Sequence, residues 1–161
     1  MLTILTKIDS ILFTIIKAIV IVLYMAMVVL IAAQVYTRFL TTSSLTWSEE
    51  LARFTLAYTV FLSAVLVTRI KGHICIDDAV RRLPESARRV VLCISSILQI
   101  IFFAIVLWGA FRMFPTAALR VSPALSIPMP VVYFCVPLSC LMMLVYNIRD
   151  LVELLAKKEK V

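Results

Sequence analysis

Thr46-Trp47-Ser48-Glu49-Glu50-Leu51-Ala52-Arg53 begins the stretch that decides the fold. It reads as the start of a helix. Thr46 is placed to cap it, and Glu49 follows at the three-residue spacing of a capping box. Glu49 and Glu50 fall in the first turn, where the helix dipole favours negative charge. Arg53 lies four residues after Glu49 and three after Glu50, so the three charges can share one face. Residues 54–68 then carry no charge, but they number only 15, whereas a helix needs about 20 to cross about 30 Å of hydrocarbon. The flanks must supply the missing length. Arg69 and Lys71 can snorkel outward at one end, and Trp47 suits the aromatic belt at the other. Glu49, Glu50 and Arg53 are thereby set at the membrane boundary, where charges either fix the depth of a helix or meet a partner.

The rest of the 161 residues extends this pattern. Apolar residues make up 63% of the chain, against about half in soluble domains, and the mean hydropathy is +1.09. Uncharged runs lie at 18–37, 54–68, 90–111 and within 121–148. The expected fold is an all-α integral membrane protein. It forms a single four-helix domain over 1–161, with spans at about 18–37, 47–69, 88–111 and 127–148. The first run exceeds the ~7–15 residues of a signal-peptide core, and no small-x-small cleavage site follows, so it is expected to remain as a span. Before span one, Leu5, Ile8, Leu12, Ile15 and Ile16 recur at roughly helical spacing with sparse charge at Lys7, Asp9 and Lys17. This is an amphipathic lead-in that runs into span one or lies on the cytoplasmic surface. Short amphipathic interfacial helices are expected there and in the polar stretch 69–89.

The formal net charge is +7, and its distribution is more informative than its sum. Twelve basic residues fall in the N-terminus, the 69–89 loop and the tail, and four in the other two loops. The positive-inside rule then places both termini in the cytoplasm. Basic residues used in this way are topology signals. With no aromatic-interleaved basic motif beside them, no nucleic-acid partner is expected.

Several residues invite a chemical reading. His73 with Asp77 and Asp78 is too small a set for a metal site, which needs more ligands at defined spacing; these groups are expected to anchor a tight loop. Cys75, Cys93, Cys135 and Cys140 contain no C-x-x-C and read as reduced packing residues. Ser95 and Gln99, four apart in span three, suit hydrogen bonding between helices. Residues 112–126, with Pro115 and Pro123, read as a loop. Pro128 and Pro130 suit the start of a helix, and Pro137 should kink span four unless neighbours satisfy the carbonyl it frees.

No cofactor and no enzymatic activity are expected. A haem bundle needs paired axial ligands, and the chain has one histidine. A thiol oxidase needs cysteine pairs on the oxidising side of the membrane. No span carries a charge at its centre for a proton relay, and no inverted repeat of the secondary-transporter kind stands out. An autonomous four-helix transporter and a four-helix membrane redox protein are therefore weaker readings than a subunit of a larger membrane complex.

Three stretches resemble the small, Q-type four-helix membrane subunit of tripartite ATP-independent periplasmic (TRAP) transporters. They are Trp47-Ser48-Glu49-Glu50-Leu51-Ala52-Arg53, then Lys71-Gly72-His73-Ile74-Cys75-Ile76-Asp77, then Leu125-Ser126-Ile127-Pro128 leading to Tyr133 and Val136-Pro137. The resemblance implies a bacterial or archaeal inner-membrane protein. It implies two protein partners: a large multi-spanning subunit that carries substrate and ion, and a periplasmic solute-binding protein that delivers an organic acid. It implies uptake driven by an ion gradient, with the small subunit as a scaffold amid membrane lipids. Trp47, Glu49, Glu50, Arg53, His73, Asp77, Pro128 and Pro137 are then expected as partner-contact or structural residues.

Overall fold

A computed structural model describes residues 2–41, 46–70 and 84–156. Within them lie α1 (Leu2–Thr41), α2 (Thr46–Arg69), α3 (Glu85–Ala118), α4 (Met129–Tyr133) and α5 (Cys135–Ala156). Four segments are long and apolar enough to cross a membrane: 9–40, 46–69, 87–118 and 129–156. In lipid each must close its own backbone hydrogen bonds, so an uncharged run with almost no glycine becomes uninterrupted helix. The all-α membrane architecture read from the sequence is the one observed.

The helices are longer than the uncharged runs. The amphipathic lead-in and span one form one helix of 40 residues, about 60 Å at 1.5 Å per residue. Lys17, two turns past Asp9, is exposed on it, and its stem can reach back towards the headgroups. The loop expected over residues 112–126 begins later than its prolines suggest, because α3 continues to Ala118 with Pro115 inside it. Pro115 removes its own N–H and clashes with the carbonyl four residues back. That loss falls in the final turns, where helix carbonyls are short of partners in any case.

The fourth span is two helices. The chain turns at Phe134, and Pro137 is the third residue of α5. Without an N–H at Pro137 the helix cannot run straight through, and the carbonyls near the break need other donors. Two of them have one. The Tyr58 hydroxyl donates to the Val131 carbonyl, and the Cys135 thiol donates to the Val132 carbonyl at 3.3 Å. Pro128, with φ −60° and ψ 126°, precedes α4 as its N-cap, the helix-starting position that its chemistry suits.

The four spans form a row. α1 packs on α2, α2 on α5, and α5 on α3, while among the described residues α1 and α3 do not meet. Burial follows the row: 28% of the most apolar window of α2 and 39% of that of α4–α5 are buried, against 6% for α1 and for α3. The shared core is Ile16 from α1, Leu62 and Val65 from α2, Phe103 from α3, and Cys140 and Met143 from α5. On α2 the buried positions Ser48, Ala52, Thr55 and Thr59 recur every three or four residues, and small side chains there let neighbouring backbones approach closely. Thr55 and Thr59 donate their hydroxyls to the carbonyls four residues earlier, each at 2.8 Å, so the seam is polar in composition but internally satisfied.

Val65 is 1% exposed at the centre of this row, whereas Val22 on α1 is 66% exposed. Val65→Ala should lower the stability of the detergent-solubilised chain by about 1–3 kcal/mol, read as a drop in thermal midpoint. Val22→Ala should leave it unchanged. Equal effects would show that α2 is not at the centre.

Candidate functional site

The charged residues gather at two levels, one at each end of α2. Nineteen residues separate Glu50 from Arg69, about 28 Å of helix, close to the thickness of a bilayer's hydrocarbon core.

At the first level Glu50 leaves its neighbours and reaches across the row. Its Oε2 accepts the Ser122 hydroxyl hydrogen bond. The same oxygen accepts the backbone N–H of Ala124 at 3.2 Å and of Leu125 at 3.1 Å. Successive N–H groups converging on one oxygen make a small anion cradle, and here α2 supplies the anion. The loop is shaped for this by its own bonds. The Ser122 N–H donates to the Ile127 carbonyl at 2.9 Å, the Ser126 N–H to the Ser122 carbonyl at 3.0 Å, and the Met129 N–H to the Arg120 carbonyl at 3.0 Å. Ser126 closes the turn with φ 52°, in the left-handed region that non-glycine residues seldom adopt. Val121 and Pro128 face each other as an isolated bridge. Ser122 is 2% exposed, so its hydroxyl needs the partner that Glu50 provides.

Glu49 and Arg53 pair with each other on the outside of α2. Their side chains are 49% and 68% exposed, and an exposed pair of this kind contributes little to stability. Of the three charges that the sequence puts on one face, two form a pair and the third holds a loop. Trp47 is exposed at the same end. So is Trp108, whose ring carries the Arg112 guanidinium at 4.5 Å from its centre.

At the second level Asp9 joins three helices. Arg69 of α2 donates from Nε at 3.1 Å and from Nη2 at 2.9 Å to Asp9 Oδ2. Tyr146 of α5 donates its hydroxyl to Asp9 Oδ1 at 2.8 Å. Arg149, also of α5, stands 3.7 Å away and donates to Glu153 at 3.1 Å. The Arg69 guanidinium also lies 4.0 Å over the Phe13 ring, a cation–π contact within α1 and α2. Asp9 and Arg69 are only 20% and 23% exposed. The crevice between these groups holds about 240 Å³, below the usual range of small-molecule pockets. Its lining is charged, and its carboxylates and guanidiniums face each other. It is a crevice of ion pairs that bond one another.

The sequence singled out Glu50 but not its partner Ser122, and it treated Asp9 as sparse charge in an amphipathic lead-in. The available signal was a lone acid in an apolar helix, which by default has a partner. That partner lies 60 residues away in the chain and could not be read from local spacing. Pro128 is the N-cap of α4, and Pro137 is the third residue of α5. His73 and Asp77, with Cys75 and Asp78, lie outside the described residues. Cys93, Cys135 and Cys140 are free thiols, the latter two buried.

Asp9→Asn removes the charge that compensates Arg69, and should cost about 1–3 kcal/mol, read as a lower thermal midpoint of the solubilised chain. Glu49→Gln should leave the midpoint in place. Glu50→Gln should loosen the 120–128 loop, so trypsin should cut after Arg120 faster than in wild type. Unchanged proteolysis would show that the cradle does not hold the loop.

The sequence profile described as tripartite ATP-independent periplasmic transporters, DctQ component, matches residues 27–157. A protein of Haemophilus influenzae (strain ATCC 51907 / DSM 11121 / KW20 / Rd), named as a TRAP transporter small permease protein, is 26% identical over 102 residues, covering 63% of this chain and 62% of that protein. The chain spans under two thirds of that relative's length. Two of the three stretches that carry the resemblance meet in space, since Glu50 of the first binds Leu125 of the third. With four membrane-crossing helices and a family match over most of its length, the chain belongs to the DctQ component family of tripartite ATP-independent periplasmic transporters and is a multi-pass inner-membrane protein.

Proposed function

We propose that this chain is the non-catalytic scaffold of its transporter. It holds a large multi-spanning transport subunit in the membrane, while that subunit moves an organic acid under an ion gradient. A periplasmic solute-binding protein delivers the acid. The observation that carries this reading is the open helix row. Two carboxylates lock the row internally at its two ends, and the flanking helices α1 and α3 leave most of their apolar surface uncovered. A rigid slab with bare flanks suits anchoring another membrane protein. Transport within the slab would need polar groups along a path between the two levels.

The basic residues favour an orientation with both termini and the 69–89 loop in the cytoplasm. The Glu50 cradle and the 120–128 loop then face the periplasm, and the Asp9 crevice faces the cytoplasm. The exposed Glu49–Arg53 pair and Trp47 flank the cradle at headgroup level, where they are available to the large subunit or to the binding protein.

A tag on this chain should recover a much larger multi-spanning protein in roughly equal amount, and neither alone should support uptake in vesicles. Recovery of a pure homo-oligomer that transports by itself would contradict the scaffold. Arg53→Ala should lower both recovery of the large protein and uptake, while the binding protein's affinity for substrate stays unchanged. For orientation, Leu119→Cys, at a position 88% exposed, should react with an impermeant thiol reagent from the periplasmic side. Reaction only after permeabilisation would invert the topology.

A further inference from the structure

Helix α3 carries one seam, beside the α5 contact against which its Val106 packs, that does not suit lipid. Ser95, Gln99, Phe102, Val106, Gly109 and Met113 follow one another at alternating four- and three-residue steps. That spacing keeps one narrow face of a helix turned towards a second helix. The seam borders the α5 contact, where Phe103 is buried, but much of it is open: Phe102 and Met113 are 59% and 54% exposed.

Two independent features mark it. The first is Gln99. It lies ten residues beyond Arg89, about 15 Å along the helix, and so near the middle of the bilayer's hydrocarbon core. Its amide makes one bond, from Nε2 to Ser95 Oγ at 3.4 Å. Among the described residues its carbonyl oxygen accepts none. Lipid tails offer no partner to a half-bonded amide, whereas a helix with a polar side chain does. The second feature is Gly109. A Cβ built there meets nothing within 4 Å, so among the described residues the glycine makes room for nothing. A bare backbone on an exposed helix face is what a second helix needs for a close crossing.

Resting on the scaffold reading, we propose that the Ser95–Gly109 seam of α3 is the docking face for a transmembrane helix of the large subunit. That helix presents a hydrogen-bonding side chain to Gln99 and crosses closest at Gly109. The broader apolar face of α1 and the opposite face of α3 are left to lipid.

The test uses the complex purified from native membranes through a tag on this chain, with a photo-crosslinking amino acid at Phe102, Ile94, Ile101 or Val22. Phe102 should crosslink to the large subunit, and the other three to lipid. Gly109→Leu should leave the thermal midpoint of the isolated chain unchanged, because the space is open there, yet sharply lower recovery of the large subunit. Gln99→Leu should lower recovery about threefold, the effect of one interhelical hydrogen bond. If the wild type recovers the large subunit but protein crosslinks come only from Val22, Ile94 or Ile101, the scaffold stands and this face is wrong. Lipid adducts alone at Phe102, or normal recovery with Gly109→Leu, also overturn the docking face. If the wild type recovers no large subunit, the scaffold reading fails and the docking face with it.

Discussion

A carboxylate at the membrane boundary must be compensated, and Asp9 is compensated by groups from two other helices. Arg69 grips it from α2 with two nitrogens, and Tyr146 binds it from α5. Apolar packing alone would not hold α1 in this place, because lipid tails solvate Ile and Val as well as another helix does. A directional bond between unlike charges in a mostly buried setting supplies what apolar contact cannot. It fixes the height of α1 against α2 and the rotation of α5 about its axis. Everything on the cytoplasmic side of the proposed orientation depends on it.

Glu50 plays the corresponding part at the other end, with different chemistry. Its partners are a hydroxyl and two backbone N–H groups, so it organises a loop instead of pairing a charge. The loop in turn sets where α4 begins, and the chain passes from α4 to α5 at Phe134. Tyr58 bridges the two regions by donating to Val131 from the middle of α2. Through Glu50 and Tyr58, α2 thus reaches both the 120–128 loop and α4. Both carboxylates are engaged within the chain, while the Glu49–Arg53 pair is exposed and the Gln99 amide is only half bonded.

The spans were legible because a membrane imposes a long uncharged run, and composition reveals such runs directly. The cap of α4 at Pro128 and the interruption near Pro137 were legible because a missing N–H acts locally. Pro115 misled for the same reason: the residue type signals a stop, but at a helix end the lost bond matters little and α3 runs past it. The Asp9 and Glu50 contacts were not legible, since their partners lie 60 and 72 residues away and local spacing says nothing of such pairs. For Glu50 it suggested a nearer partner, Arg53, which in the fold belongs to Glu49. The row itself was not legible either. Four apolar helices of these lengths are equally compatible with a closed bundle, and only which helix packs on which distinguishes the two.

The open row is the claim on which the scaffold, the bare flanks and the docking seam all rest. Spin labels at Val22 on α1 and Ile101 on α3, both exposed and near mid-membrane, measure it directly in the reconstituted chain. Three helix-to-helix steps of 8–10 Å predict a separation of about 25–30 Å. A distance of about 10–15 Å would mean that α1 and α3 close a ring, and the account of this chain as an open slab would be contradicted.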